Sequence, residues 1–215
     1  MRLVIAMAAL AVSIGAAAAQ SRFPIIQPAD MTAEQKKLFE TIVGGPRAQN
    51  YGGEAAKRVL NGGPFNAWMR SPELGMRLQA VGEFVRFKGS IPSRLNELAI
   101  LITAREWTSQ YEWFAHHALA MKAGLDPQIA DDLANGKRPA NMKDDEAAVY
   151  DFCIQLHRNH KVDDAAFNRV KALFGEQGVI DLIGVSGYYV AVSMTLNVAQ
   201  VPVPDGKPLP LKPMN

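Results

Sequence analysis

Residues 93–116 read SRLNELAILITAREWTSQYEWFAH. Pro92 opens the first half as a helix, and Leu95, Leu98, Ala99, Ile100, Leu101 and Ile102 make it apolar all round, the mark of a buried helix. Glu97 lies inside that apolar setting, where desolvation works against a charged carboxylate. In the second half Ser109, Glu112 and His116 are three and four residues apart. At 100° per residue they share roughly 60° of one helix face. A short connection through Glu106–Thr108 folds this helix back along the first, so two carboxylates and a histidine converge.

Working outward, helical patterns recur and no alternating strand pattern of useful length appears, so the chain reads as all-α with six to eight helices. Thr32 with Gln35 forms a capping box opening a helix through Leu38, Phe39 and Ile42, stopped by Gly44-Gly45-Pro46. A glycine-rich connector follows over 44–66, with one short helical turn near 54–60. From Pro72, Leu74, Leu78, Val81 and Val85 repeat on one face and are expected to point inward. A helix over 108–123 ends at Gly124, and a short one from Asp126 or Pro127 reaches Asn135-Gly136. Asp144 begins a helix carrying Val149, Phe152, Cys153 and Leu156. Asp163 caps another, closed by Gly175. The last helix, about 176–199, is apolar enough to resemble a membrane span, but Asp181, Ser193, Thr195 and Asn197 interrupt it. It reads as a buried or subunit-interface helix.

At the N-terminus, Met1-Arg2, the apolar run Leu3–Ile14 and Ala17-Ala18-Ala19 read as a secretory signal peptide over residues 1–19. A secreted or periplasmic location follows as an expectation. The chain divides into 20–62 (an N-terminal helix and glycine-rich connector), a main helical domain over 63–204 and an extended tail over 205–215. A formal net charge of +2 gives no electrostatic footprint for nucleic acid or an anionic membrane, and neither partner is expected. One cysteine, Cys153, excludes an intramolecular disulfide and any Cys-x-x-Cys redox centre. Cys153, His157 and His160 are spaced four and three apart, but Cys153 belongs to an apolar stripe and reads as a buried thiol rather than a ligand.

From spacing alone, Glu112 and His116 are either a solvated i,i+4 pair or an acid–base centre. With Glu97 they also form a donor set suited to iron, manganese or zinc. The wider pattern adds to this. Arg94-Leu95-Asn96-Glu97-Leu98-Ala99-Ile100-Leu101, Ala104-Arg105, Tyr111-Glu112-Trp113 with His116, Ala120 and Gly124 together resemble the carboxymuconolactone decarboxylase family. The resemblance is strong over 90–135 and looser from Gly63-Pro64-Phe65 to about Pro202.

That resemblance implies an alkylhydroperoxidase D-like helical fold, assembled as a homo-oligomer (trimer or hexamer). The peroxidase branch carries cysteines at the positions of Ser109 and Glu112. The decarboxylase branch carries Glu-Trp and His at Glu112, Trp113 and His116. The implied activity is a lyase without cofactor or metal, acting on a small carboxylated lactone or related acid. His116 is the implied general acid/base, with Glu112 tuning it and Glu97 as a second proton-handling group. Ser109, Trp113, Arg105 and Arg94 are the implied substrate contacts, the two arginines being the nearest cations in sequence and equally suited to structural ion pairs.

Overall fold

The computed structural model describes residues 21–50, 54–204 and 208–213. The signal-peptide reading of 1–19 therefore lies outside the described residues. Within them the secondary structure is helical throughout: α1 (Ala33–Gly44), α2 (Ala55–Asn61), α3 (Phe65–Trp68), α4 (Pro72–Phe87), α5 (Ser93–Glu106), α6 (Gln110–Lys122), α7 (Pro127–Ala134), α8 (Asp144–Asn159) and α9 (Asp164–Ala199). Short 3-10 turns cover Pro28–Asp30 and Pro46–Asn50. The helix count exceeds the expected six to eight because α2 and α3 are short turns of the connector.

Helix α5 is the axis of the fold. Every residue from Leu95 to Arg105 is buried, and α6, α8 and α9 pack around it. The apolar girth read from the sequence is thus filled on all sides. Helix α9, 36 residues long, breaks at Gly175, whose φ of +69° suits glycine. By length and composition alone α9 qualifies as a membrane span, yet its inner face packs against α4, α5, α6 and α8. Asp181 on that helix is buried and accepts hydrogen bonds from Ser90 N and Oγ, both at 2.7 Å.

The N-terminal region joins the same core: Leu38, Ile42 and Val59 are buried with the residues of α5. The capping box forms as read, with Thr32 Oγ1 accepting from Gln35 N and Gln35 Oε1 accepting from Thr32 N. The tail also returns to the body. Leu211 is buried and exchanges backbone hydrogen bonds with the Gln110 side chain (2.7 and 2.9 Å).

Helix α4 is rotated relative to expectation. Val85 is buried, but Leu74 and Val81 are about half exposed, and the buried line is Gly75, Gln79, Gly82 and Val85. The reason is proximity. A Cβ on Gly75 would lie 2.7 Å from Leu38 Cδ2, and one on Gly82 would lie 2.1 Å from Tyr188 Oη. Close approach through glycine outweighs the burial of two larger side chains.

Candidate active site

Helices α5 and α6 meet at a tight corner. Ser109 N donates to Ala104 O at 2.8 Å and Thr108 N to Arg105 O at 3.0 Å, a Schellman-type closure, with Thr108 at φ +45°. A left-handed β-branched residue is strained, and it sits where the chain reverses. The reversal lays α6 along α5 so that His116 faces Glu97. Asn96 Nδ2 donates to Val85 O at 2.8 Å and ties the end of α4 to α5, which brings Arg86 to the same place.

The geometry gathers the three expected residues. His116 Nδ1 is 2.6 Å from Glu97 Oε2, and His116 Nε2 is 3.3 Å from Glu112 Oε1. All three side chains are at least nine-tenths buried, so the solvated surface pair is ruled out. Arg86 Nη2 lies 3.9 Å from Glu97 Oε1. The His116 ring meets Tyr189 edge-on, with centroids 5.0 Å apart, and Tyr189 meets Tyr188 in the same way at 5.0 Å. These contacts fix the imidazole plane. With Glu97 accepting from Nδ1–H, Nε2 is left facing Glu112.

Burial pushes the Glu112 carboxyl up to about 6, opposed by the positive charges of His116 and Arg86. Its Oε1 has no hydrogen-bond partner among the described residues, although Nε2 lies in ion-pair range. An acid of that strength beside an imidazole can hold or release a proton near neutrality. The Tyr188 and Tyr189 phenols are both raised by burial, Tyr188 to about 12, so each is a neutral donor.

Glu112 and His116 line a cavity of about 600 Å³, with Trp113, His117, Tyr188, Tyr189 and Phe65 among its walls. A cavity of this size accommodates a small organic molecule. His117, half-buried, stacks on Trp113 (centroids 6.3 Å apart) and joins the wall.

Other expected contacts fall elsewhere. Arg94 binds Asp145 at 2.6 Å and Glu146, stapling α5 to α8, so it is a structural ion pair. Arg105 donates to Lys212 O at 2.7 Å and borders α7 and α8 rather than the cavity. Ser109 is the residue before α6 rather than a member of its face. It is fully buried, with an unpartnered Oγ among the described residues, and does not line the cavity. The cations on the cavity wall are Arg47, Arg58 and Arg86. They come from the connector and the end of α4, outside the stretch that carries the motif, and no spacing signal links them to it.

Cys153 is fully buried against Ser186, its thiol pushed up to about 12, and it is not on the cavity wall. His157 Nε2 pairs with Thr103 Oγ1 at 3.0 Å, and burial lowers its basicity. Among the described residues no group of three His, Cys, Asp or Glu side chains is arranged to hold a metal ion.

The helix order and packing match a solved structure. A crystal structure described as an alkylhydroperoxidase AhpD core, an uncharacterized peroxidase-related protein from Ralstonia eutropha JMP134, superposes with a TM-score of 0.69 over 86% of this chain and 93% of that one. The chain has the alkylhydroperoxidase D fold. At 18% identity the likeness lies in the backbone architecture. No family model and no curated protein matches the sequence. Within the alkylhydroperoxidase D fold the chain's one thiol is buried and off the cavity wall, while Glu112 and His116, the latter in contact with Glu97, line it.

Proposed function

We propose that this protein is a cofactor-free lyase that decarboxylates a small carboxylated lactone or related acid. The observation that supports the reading is His116 held between Glu97 and Glu112, with Glu112 near neutrality, at the wall of a cavity sized for such a molecule.

The chemistry follows from the proton inventory. The bond from ring carbon to carboxylate breaks, carbon dioxide leaves, and the electron pair passes into a conjugated carbonyl as an enolate. Carbon must then be protonated. Glu112, protonated below about pH 6, and the imidazole Nε2 are the donors facing the cavity, and Glu97 stabilises the imidazolium through Nδ1. Water restores the proton after the product leaves. The tyrosine hydroxyls and the cationic wall suit an anionic substrate and its enolate.

Assembly and location belong to the same proposal. Leu74, Val81 and Phe84 of α4 and Ile180 and Ile183 of α9 are 43–66% exposed, which favours burial against further copies of the chain. Export follows the signal-peptide reading and is checked by the N-terminal sequence of the secreted protein.

The test is carbon dioxide release from a panel of carboxylated γ-lactones, comparing wild type with Glu112→Gln and His116→Ala. Turnover in wild type, reduced at least a hundredfold in both variants, supports the proposal. Saturable binding without turnover by any member would replace it with a non-catalytic binding role.

A further inference from the structure

Arg47 belongs to the N-terminal connector, outside the motif that carries the relay, yet it is only 3% exposed and lines the same cavity. Its Nη1 donates to Gln79 O at 3.3 Å and Gln79 Oε1 at 3.1 Å. Both acceptors are neutral. Nη2 makes no hydrogen bond of good geometry among the described residues; the polar group interacting with the guanidinium there is the Tyr188 phenol, which is neutral, and no ion pair with their carboxylates is formed. A buried guanidinium without a counter-charge is unfavourable, and structures keep such groups where an anion completes them.

The surroundings hold that geometry open. A Cβ on Gly82 would lie 2.4 Å from Arg47 Nη2 and 2.1 Å from Tyr188 Oη, so the glycine leaves a notch shared by the guanidinium and the phenol. The phenol is neutral, its hydroxyl a second donor at the same point. The Phe65 ring backs the guanidinium at 6.0 Å. Gln79 and Gly82, which lie on the buried line of α4 while Leu74 and Val81 are left exposed, thus build a cradle for Arg47.

We propose that Arg47 and Tyr188 form a carboxylate-binding subsite on the wall of the cavity. A guanidinium and a phenol hydroxyl that converge on one point suit the two oxygens of a carboxylate, whatever reaction the cavity carries. Arg47 selects for that group, which makes the connector a specificity element.

Calorimetric titration with succinate as probe, and succinamide as its neutral counterpart, tests this in low-chloride buffer. Wild type is expected to bind succinate saturably and to bind succinamide at least tenfold more weakly. Arg47→Gln should weaken succinate at least tenfold. Arg47→Lys, which keeps the charge and core volume but loses the planar fork, should weaken it at least threefold. Cys153→Ala, off the cavity wall, should bind succinate within twofold of wild type. Succinate binding that is absent in wild type, or unchanged in both Arg47 variants, overturns the subsite. The two claims have separate readouts: undiminished turnover in His116→Ala overturns the decarboxylase reading and leaves the subsite standing, and undiminished succinate binding in the Arg47 variants overturns the subsite and leaves that reading standing.

Discussion

Replacing Glu112 with glutamine removes a titration that the fold has displaced, and linkage gives the size of the effect. In the folded chain the carboxyl is raised from 4.5 to about 6, chiefly by burial, against the pull of His116 and Arg86 and with a further push from Glu97. The folded state therefore binds this proton more tightly than the unfolded state. Between about pH 4.5 and 6 the native protein carries more protons, so stability falls as pH rises through that window and the full loss is present at pH 7. At 1.36 kcal/mol per pH unit separating the two pKa values, the loss is about 2 kcal/mol. Glutamine at 112 has the same shape and no titration. Urea unfolding followed by far-UV circular dichroism at pH 4, 5, 6 and 7 should show the variant gaining about 2 kcal/mol on wild type across the series. A difference that stays flat, or that moves toward wild type as pH rises, refutes the buried, neutral-leaning carboxyl at 112.

Three other perturbations probe separate parts of the structure. Arg94→Ala leaves Glu146 buried without its cation and should lose about 3 kcal/mol in urea unfolding, while the folded protein still binds succinate as wild type does. Gly82→Ala forces a Cβ against Tyr188 and Arg47, and should lose about 1–3 kcal/mol by overpacking and weaken succinate binding together. Cys153 should resist a colourless thiol reagent in native protein and react at once in urea, and Cys153→Ala should leave turnover unchanged.

Local signals were legible wherever the chain's own neighbours decide the outcome. The all-round apolarity of Leu95–Ile102 places α5 at the centre, the Thr32–Gln35 box starts α1, and Gly124 and Gly175 mark an end and a break. Glu97, Glu112 and His116 were legible because each lies on a buried face next to the same helical corner. Proximity in sequence misled for the cations. Arg94 and Arg105 share α5 with Glu97, but they leave it on the sides toward α8 and α7, where Glu146 and Lys212 O receive them. Arg47 reaches the cavity only through packing between the connector and α4, a contact no spacing encodes. The face of α4 was misread for a related reason: periodicity counts apolar side chains, whereas here glycine admits Tyr188 and Leu38 closely enough to outweigh them.

The central claim is that His116, set between two buried carboxylates, moves the proton of a decarboxylation. Its most direct test is the initial rate of carbon dioxide release from a carboxylated γ-lactone in deuterated water, wild type against His116→Ala of matched circular dichroism and Tm. Release by wild type with one deuterium on the product carbon α to the carbonyl that took the electron pair, and a rate at least a hundredfold lower in the variant, is the expected result. Equal rates in the two proteins would contradict it.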